Sequence, residues 1–176
     1  PMHMGNARGG VLGDTMSAIF QRLGYEVWRE FYVNDAGNQI HKFAMSIDAR
    51  YHQLINGTQG PIDEGLYQGE DITDLARAIL AAHGEEWAAL PEEERLERMG
   101  EYGLSVNIPK MKEDLLKYGI QYDEWFLEST LHASGAVVDS VQALTDKGWT
   151  YEKDGALWLN TTELLRRKYL SEGMSQ

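Results

Sequence analysis

Residues 1–14 crowd four glycines (Gly5, Gly9, Gly10 and Gly13) with His3, Asn6 and Arg8 against the start of an apolar helical period, and this limits what can follow. A helix start exposes unpaired backbone N–H groups at the positive end of a macrodipole, and glycine lets a polyanion come close to the backbone. The stretch therefore reads as a phosphate-binding turn, with His3 and Arg8 as side-chain donors. It lacks both the Gly-x-x-x-x-Gly-Lys-Ser/Thr of a P-loop and the Gly-x-Gly-x-x-Gly of a dinucleotide fold. From Val11 the apolar positions Leu12, Met16, Ile19, Phe20 and Leu23 follow one helix face, and Gly24 supplies a left-handed stop. Tyr25 to Val33 is aromatic and β-branched without clean alternation, the pattern of a strand buried on both faces of a parallel sheet. Turn, helix and strand make half of a βαβ unit. The other half is expected to be a strand ahead of Pro1, because the ligand turn of an open α/β sheet follows a strand's carboxyl end.

His3-Met4-Gly5-Asn6, with Arg8 two residues on, resembles the His-x-Gly-His element of class I aminoacyl-tRNA synthetases. The longer run through Gly9-Gly10, Leu12-Gly13-Asp14, Gly24-Tyr25-Glu26-Val27 and Glu30-Phe31-Tyr32-Val33-Asn34-Asp35-Ala36-Gly37-Asn38-Gln39-Ile40 is similar to the bacterial arginyl-tRNA synthetase pattern. Tyr122-Asp123-Glu124-Trp125-Phe126 and Tyr151-Glu152-Lys153-Asp154-Gly155-Ala156-Leu157-Trp158 resemble later blocks of the same domain, so the likeness runs to about Glu163. Asn6 departs from the second histidine of the common motif and is read as a variant.

The resemblance implies an α/β fold: a partial class I Rossmann-like nucleotide-binding domain, its first strand and C-terminal half missing, with a mainly helical insertion. The implied divisions are 1–56, carrying the histidine element, 57–119, the insertion, 120–163, a return as strand, helix and β-hairpin, and 164–176, a divergent tail. It also implies an arginine–tRNA ligase that activates L-arginine with ATP and passes it to tRNA(Arg). His3 and Asn6 would be catalytic. His3, Gly5, Asn6 and Arg8 would bind ATP, and Asp35 and Gln39 would line the arginine side of the crevice. Magnesium is expected with ATP, without a structural metal. The family's second lysine loop and the tyrosine and aspartate that read arginine are not found, so the chain by itself is expected to be inactive.

The remaining segments read more plainly. Ile40, Phe43, Ala44, Ile47, Tyr51, Leu54 and Ile55 mark a well-patterned helix stopped by Asn56-Gly57, with His41 and His52 as solvated surface residues and Asp35 either capping it or facing the ligand. Gly57, Gly60, Gly65 and Gly69 form the loop into the insertion, where Asp71 is expected to cap one helix and Pro91 to open another. Glu92, Glu93, Glu94 and Glu97 read as a solvated first turn favoured by the helix dipole. Lys110-Met111-Lys112 imitates the family's Lys-Met-Ser-Lys-Ser loop, but its place after Pro109 predicts the start of a new helix instead. Tyr122–Leu127 reads as a second buried strand, Val137, Val138, Val141 and Leu144 as a helix face, and Asp154-Gly155 as a type I′ hairpin turn.

A net charge of −12 over 176 residues, none of them cysteine, argues against this chain alone holding a tRNA backbone and excludes a disulfide framework. No apolar run reaches the ~20 residues of a membrane span, and the expected setting is cytoplasmic. A half-fold is expected to self-associate along its open sheet edge. Two other readings remain open: a non-catalytic nucleotide-binding or assembly module of the same fold, and another class I nucleotidyltransferase.

Overall fold

Seven apolar positions at helical spacing make α2 (Gly37–Ile55) the hub against which the larger part of the chain packs. The computed structural model describes residues 4–171. They fall into two compact units, residues 1–128 and 129–176. The first unit holds α1 (Met4–Arg22), β1 (Glu30–Val33), α2, α3 (Glu70–His83), a 3₁₀ turn (Glu86–Ala89), α4 (Glu92–Lys117) and β2 (Glu124–Leu127). α5 (Glu128–Ala133) begins at the last residue of that unit. The second unit continues with α6 (Ala136–Asp146), β3 (Thr150–Lys153), β4 (Ala156–Leu159) and α7 (Thr161–Ser171).

The core lies among α2, α3 and α4, where Ile47, Tyr51, Ala76, Ile79 and Met99 are wholly buried. Ile47, Ile79 and Met99 each contribute roughly 1.5–3 kcal/mol by leaving water. Gly100 and Gly103 let α4 lie directly on α2: a Cβ on Gly100 would meet Ala44 and Ile40 at 3.6 Å, and one on Gly103 would collide with the Phe43 ring. Asp48 of α2 pairs with Arg95 Nε of α4 at 2.8 Å, and Arg95 also donates to the Leu90 carbonyl at 2.9 Å, which fixes the approach to α4. The glycine-rich loop after α2 is tied down by Arg50, whose Nη1 donates to the Gly60 carbonyl at 2.6 Å, and by Ser46 Oγ, which accepts the Tyr67 N–H at 3.0 Å. The segment expected as an insertion thus shares one core with α2.

β1 and β2 pair in parallel, Glu30 opposite Glu124 through Val33 opposite Leu127. Phe31 stacks on Trp125 with ring centroids 4.5 Å apart, and Tyr32 on Phe126 at 6.3 Å. In the second unit β3 and β4 form an antiparallel hairpin around Asp154 (φ +53°) and Gly155 (φ +73°), the paired positive dihedrals expected for Asp-Gly.

Several expectations need correction. The first helix already holds Met4, well ahead of Val11, so Gly9 and Gly10 lie inside it. Gly10 is explained by packing: a Cβ there would sit 2.9 Å from Ile120 Cδ1 and 3.6 Å from Tyr122 Oη. Only Glu30–Val33 of the expected Tyr25–Val33 strand forms ladder, and of it only Val33 is buried; β2 is likewise half-exposed. α4 runs unbroken through Pro109, so Lys110 opens no helix; the lost backbone bond is tolerated within 26 residues of helix. Gly69, without a side-chain cap bond, precedes α3 where Asp71 was expected to cap, and Pro91 is the flanking residue of α4, one position before its first turn. His52 is not purely solvated, since its Nε2 lies 3.5 Å from Asp48 Oδ1, one turn back. Part of the expected tail, through Ser171, is helical in α7.

Candidate active site

The site can be built from two pieces of backbone, the head of α1 and the carboxyl end of β1. α1 carries no acidic residue in its first described turn and ends on Arg22, so no carboxylate there competes with an anion for the positive end of the helix dipole. Gly5, Asn6 and Arg8 are exposed within its first turns. His3 lies outside the described residues, so its placement is not part of the geometry. Arg29 holds α1 beside β1: its Nε lies 3.4 Å from Asp14 Oδ1, its side chain also donates to Gln21 at 3.1 Å, and its backbone N–H donates to Asp123 at 2.8 Å. The 3.4 Å contact is an ion pair without hydrogen-bond alignment, leaving Arg29 Nε buried and unsatisfied. Beneath it, burial and the charge of Asp14 raise the Tyr122 phenol above its ordinary value.

At the carboxyl end of β1 the chain turns through Asn34, Asp35 and Ala36 into α2. Ala36, not Asp35, is the residue that flanks the helix, and it makes no side-chain cap bond. Turned about its amide, Asn34 donates to Glu128 Oε2 at 3.2 Å and to the Ala36 carbonyl at 3.0 Å, and its oxygen, 3.2 Å from Gln39 Oε1, accepts from Gln39 once that amide is turned too. Desolvation, followed by the hydrogen bond to Glu128 and the charges of Glu128 and Asp35, raises the Tyr32 phenol. Asn34, Tyr32 and Glu128 thus cluster where the two parallel strands end, the place where open α/β sheets take ligands.

Asp35 and Gln39, expected on one side of one crevice, line different cavities. Asp35 borders a cavity of about 780 Å³ between α2 and α4, with His41, Glu92, Glu93, Glu97 and Glu101. Gln39 borders another of about 560 Å³ with Asn34, Phe43, Tyr67, Asp71 and Asn107. Gln39 lies on α2, whereas Asp35 precedes the helix across Ala36 in extended backbone (φ −138°, ψ 171°), so it is not held to the spacing that places residues four apart on one face. Glu128 was missed by sequence reasoning. Its signal was positional: the first charged residue after the apolar run Trp125-Phe126-Leu127, at a strand's carboxyl end. Among the described residues no group of three or more acidic or histidine side chains could hold a metal ion.

Comparison with known proteins places this geometry. The family described as tRNA synthetases class I (R), catalytic domain, matches residues 1–75. The arginine–tRNA ligase of Caldanaerobacter subterraneus subsp. tengcongensis is 56% identical over 162 residues, 92% of this chain and 29% of that protein. That of Ruminiclostridium cellulolyticum is 49% identical over 160 residues, 90% of this chain and 28% of that protein. A solved Campylobacter jejuni structure described as an arginyl-tRNA synthetase superposes with a TM-score of 0.77 at 31% identity, covering 93% of this chain and 35% of the other. The chain spans under a third of the length of the curated relatives it matches. Extended identity through both the α1 head and the β2 block, with a matching fold, makes this chain a segment of the arginyl-tRNA synthetase family of class I tRNA synthetases.

Proposed function

We propose that this segment supplies the phosphate-binding half of an arginine–tRNA ligase active site in a Rossmann-like catalytic domain. What supports the reading is the exposed, acid-free head of α1, a helix whose later turns are held against the parallel strand pair through Arg29, on residues that the likeness assigns to the ATP element. In the longer protein the arginine carboxylate oxygen attacks the α-phosphorus of ATP and pyrophosphate leaves. A terminal hydroxyl of tRNA(Arg) then attacks the activated carbonyl, and AMP leaves. His3, Asn6 and Arg8 stabilise phosphate charge by preorganised donation, Gly5 lets the nucleotide lie against the backbone, and no covalent enzyme intermediate is needed. Magnesium travels with the ATP phosphates as part of the substrate. Asp35 and Gln39 remain the proposed arginine-side residues, each from its own cavity at the head of α2, and Glu128 adds a carboxylate beside Asn34. The proposed setting is cytoplasmic.

Pyrophosphate binding to the 176-residue chain tests the phosphate site. His3→Ala and Arg8→Ala should each weaken it about tenfold or more, the worth of one charge-assisted contact, with the melting temperature unchanged. Unchanged affinity in both variants overturns the assignment. Arginine-dependent pyrophosphate exchange should be absent in the chain alone, and turnover by it would refute that part of the reading.

A further inference from the structure

The last turn of α2 closes on Asn56-Gly57, the one place in the sequence where an asparagine is followed by glycine. A Schellman arrangement forms the end: the Gly57 N–H donates to the Leu54 carbonyl at 3.4 Å and the Thr58 N–H to the Gln53 carbonyl at 2.9 Å. Gly57 takes the left-handed conformation (φ +62°) that this cap requires. Asn56, Gly57 and Thr58 are all exposed, and a Cβ added at Gly57 would meet nothing beyond its chain neighbours within 4 Å. The Asn56 carboxamide makes no hydrogen bond among the described residues. Neither a neighbouring side chain nor a hydrogen bond therefore holds the carboxamide away from the Gly57 nitrogen. The other five asparagines are placed differently. Asn6, Asn38 and Asn107 lie within α1, α2 and α4. Asn34 is held by Glu128 and the Ala36 carbonyl, and Asn160 Oδ1 accepts the Glu163 N–H at 3.1 Å. Each of the five is followed by a residue whose side chain shields the next nitrogen.

We propose that Asn56-Gly57 is a site of spontaneous deamidation, converted ahead of every other asparagine in the chain. The Gly57 nitrogen attacks Cγ of Asn56, the N–Cγ bond forms, and the Cγ–Nδ2 bond breaks as ammonia leaves with the amide proton. Water then adds to either carbonyl of the cyclic imide and reopens it. One opening leaves an aspartate at position 56, and the other routes the main chain through the β-carbon as isoaspartate. Either product places a carboxylate at the negative end of the α2 macrodipole, where it is disfavoured. The isoaspartyl form also lengthens the backbone ahead of Gly57, which draws Thr58 away from the Gln53 carbonyl. The cap sets the rate. With Asn56 at φ −81° and ψ −1° the Gly57 nitrogen is turned away from Cγ, so the imide closes only when the last turn frays. Such an opening breaks the two cap bonds but leaves the buried Ile47 and Tyr51, more than a turn further back, in place.

Incubation of the 176-residue chain at mildly alkaline pH and physiological temperature tests it, followed by peptide mapping in a mass spectrometer and by enzymatic methylation of isoaspartate. The peptide that holds Asn56 should gain the mass of an amide-to-acid exchange before any other asparagine peptide does, and should take up the methyl label. Asn56→Gln should abolish both signals with an unchanged thermal melt, because the longer side chain closes its imide far more slowly. Gly57→Ala should slow conversion several-fold, with a lowered melt because alanine is strained at φ +62°. Urea that unfolds the chain should speed conversion of Asn56, since the cap no longer holds the peptide turned away. Asn56→Asp should melt below Asn56→Gln, reporting the charge at the helix end. The proposal is overturned if the Asn56 peptide keeps its mass through the incubation, if another asparagine converts first, or if Gly57→Ala converts as fast as the parent chain. An equal rate in urea and in buffer would overturn the gating by the cap.

Discussion

Gly103 shows how much of this structure rests on single atoms. A methyl group there meets the Phe43 ring and comes within 2.9 Å of Ile47 Cδ1, both on the core face of α2. Gly103→Ala should therefore cost about 1–3 kcal/mol through overpacking, seen as a lower urea midpoint with an unchanged slope. Tyr51 gives a second residue-level test. Burial raises its phenol above the ordinary value of about 10, partly offset by backbone contacts at Ala88 and Trp87, and its hydroxyl donates to the Gly84 carbonyl at 2.6 Å. A group with a raised folded value stabilises fully below its unfolded value and loses that contribution as pH climbs through the folded one. Stability should fall above about pH 10. Tyr51→Phe should lose about 1 kcal/mol at neutral pH and flatten the alkaline fall, and an undiminished fall in the variant would assign it to other groups.

At the level of elements, the sequence was most readable where one physical signal acted alone. The α2 stripe and the Asp154-Gly155 turn follow from periodicity and backbone dihedral preference, and both stand as expected. Gly10 was misread because a glycine that admits a phosphate and one that admits a neighbouring side chain look the same in sequence; only Ile120, 110 positions away on the chain, distinguishes them. Lys110 was misread because proline is weighed as a local breaker, whereas packing along the rest of a long helix carries α4 through it. For the candidate site, the β1–α2 turn was legible as a crevice wall, but Glu128 joins it through strand pairing, which is not local in sequence, and Asp35 leaves it because it lies before α2, off the helix that carries Gln39.

Across the whole molecule, burial is uneven. α1 buries no residue, and Leu12, Met16, Ile19 and Leu23 are each more than half exposed. Tyr151, Leu157, Trp158 and Leu159 of the hairpin are also exposed. Soluble monomers rarely leave contiguous apolar patches beyond a few hundred Å² uncovered, and both outer edges of the β1–β2 pair are open among the described residues. We expect the 176-residue chain to self-associate, with light scattering giving a mass above 19.9 kDa that rises with concentration. A strictly monomeric mass at high concentration would contradict this. Leu12→Lys with Met16→Lys should reduce association without lowering the melting temperature, because neither side chain is in the core.

The parallel pairing of β1 with β2 also sets an order in time. Arg29 and Asp123, which close the ladder at its amino end, are 94 residues apart in sequence, while α2, α3 and α4 meet their partners across much shorter loops. Closing the long loop first would cost chain entropy with little contact to offset it, so the helical core should form early and the sheet late. Trp87 lies in that core and Trp125 in the sheet, which provides one reporter for each event. In refolding of variants that keep a single tryptophan, the Trp87 signal should recover before that of Trp125, and a common rate for both would show that the chain folds in one step. On a ribosome, the β1–β2 end of the crevice would then wait until Leu127 has emerged and folded back, well after its helical wall is in place.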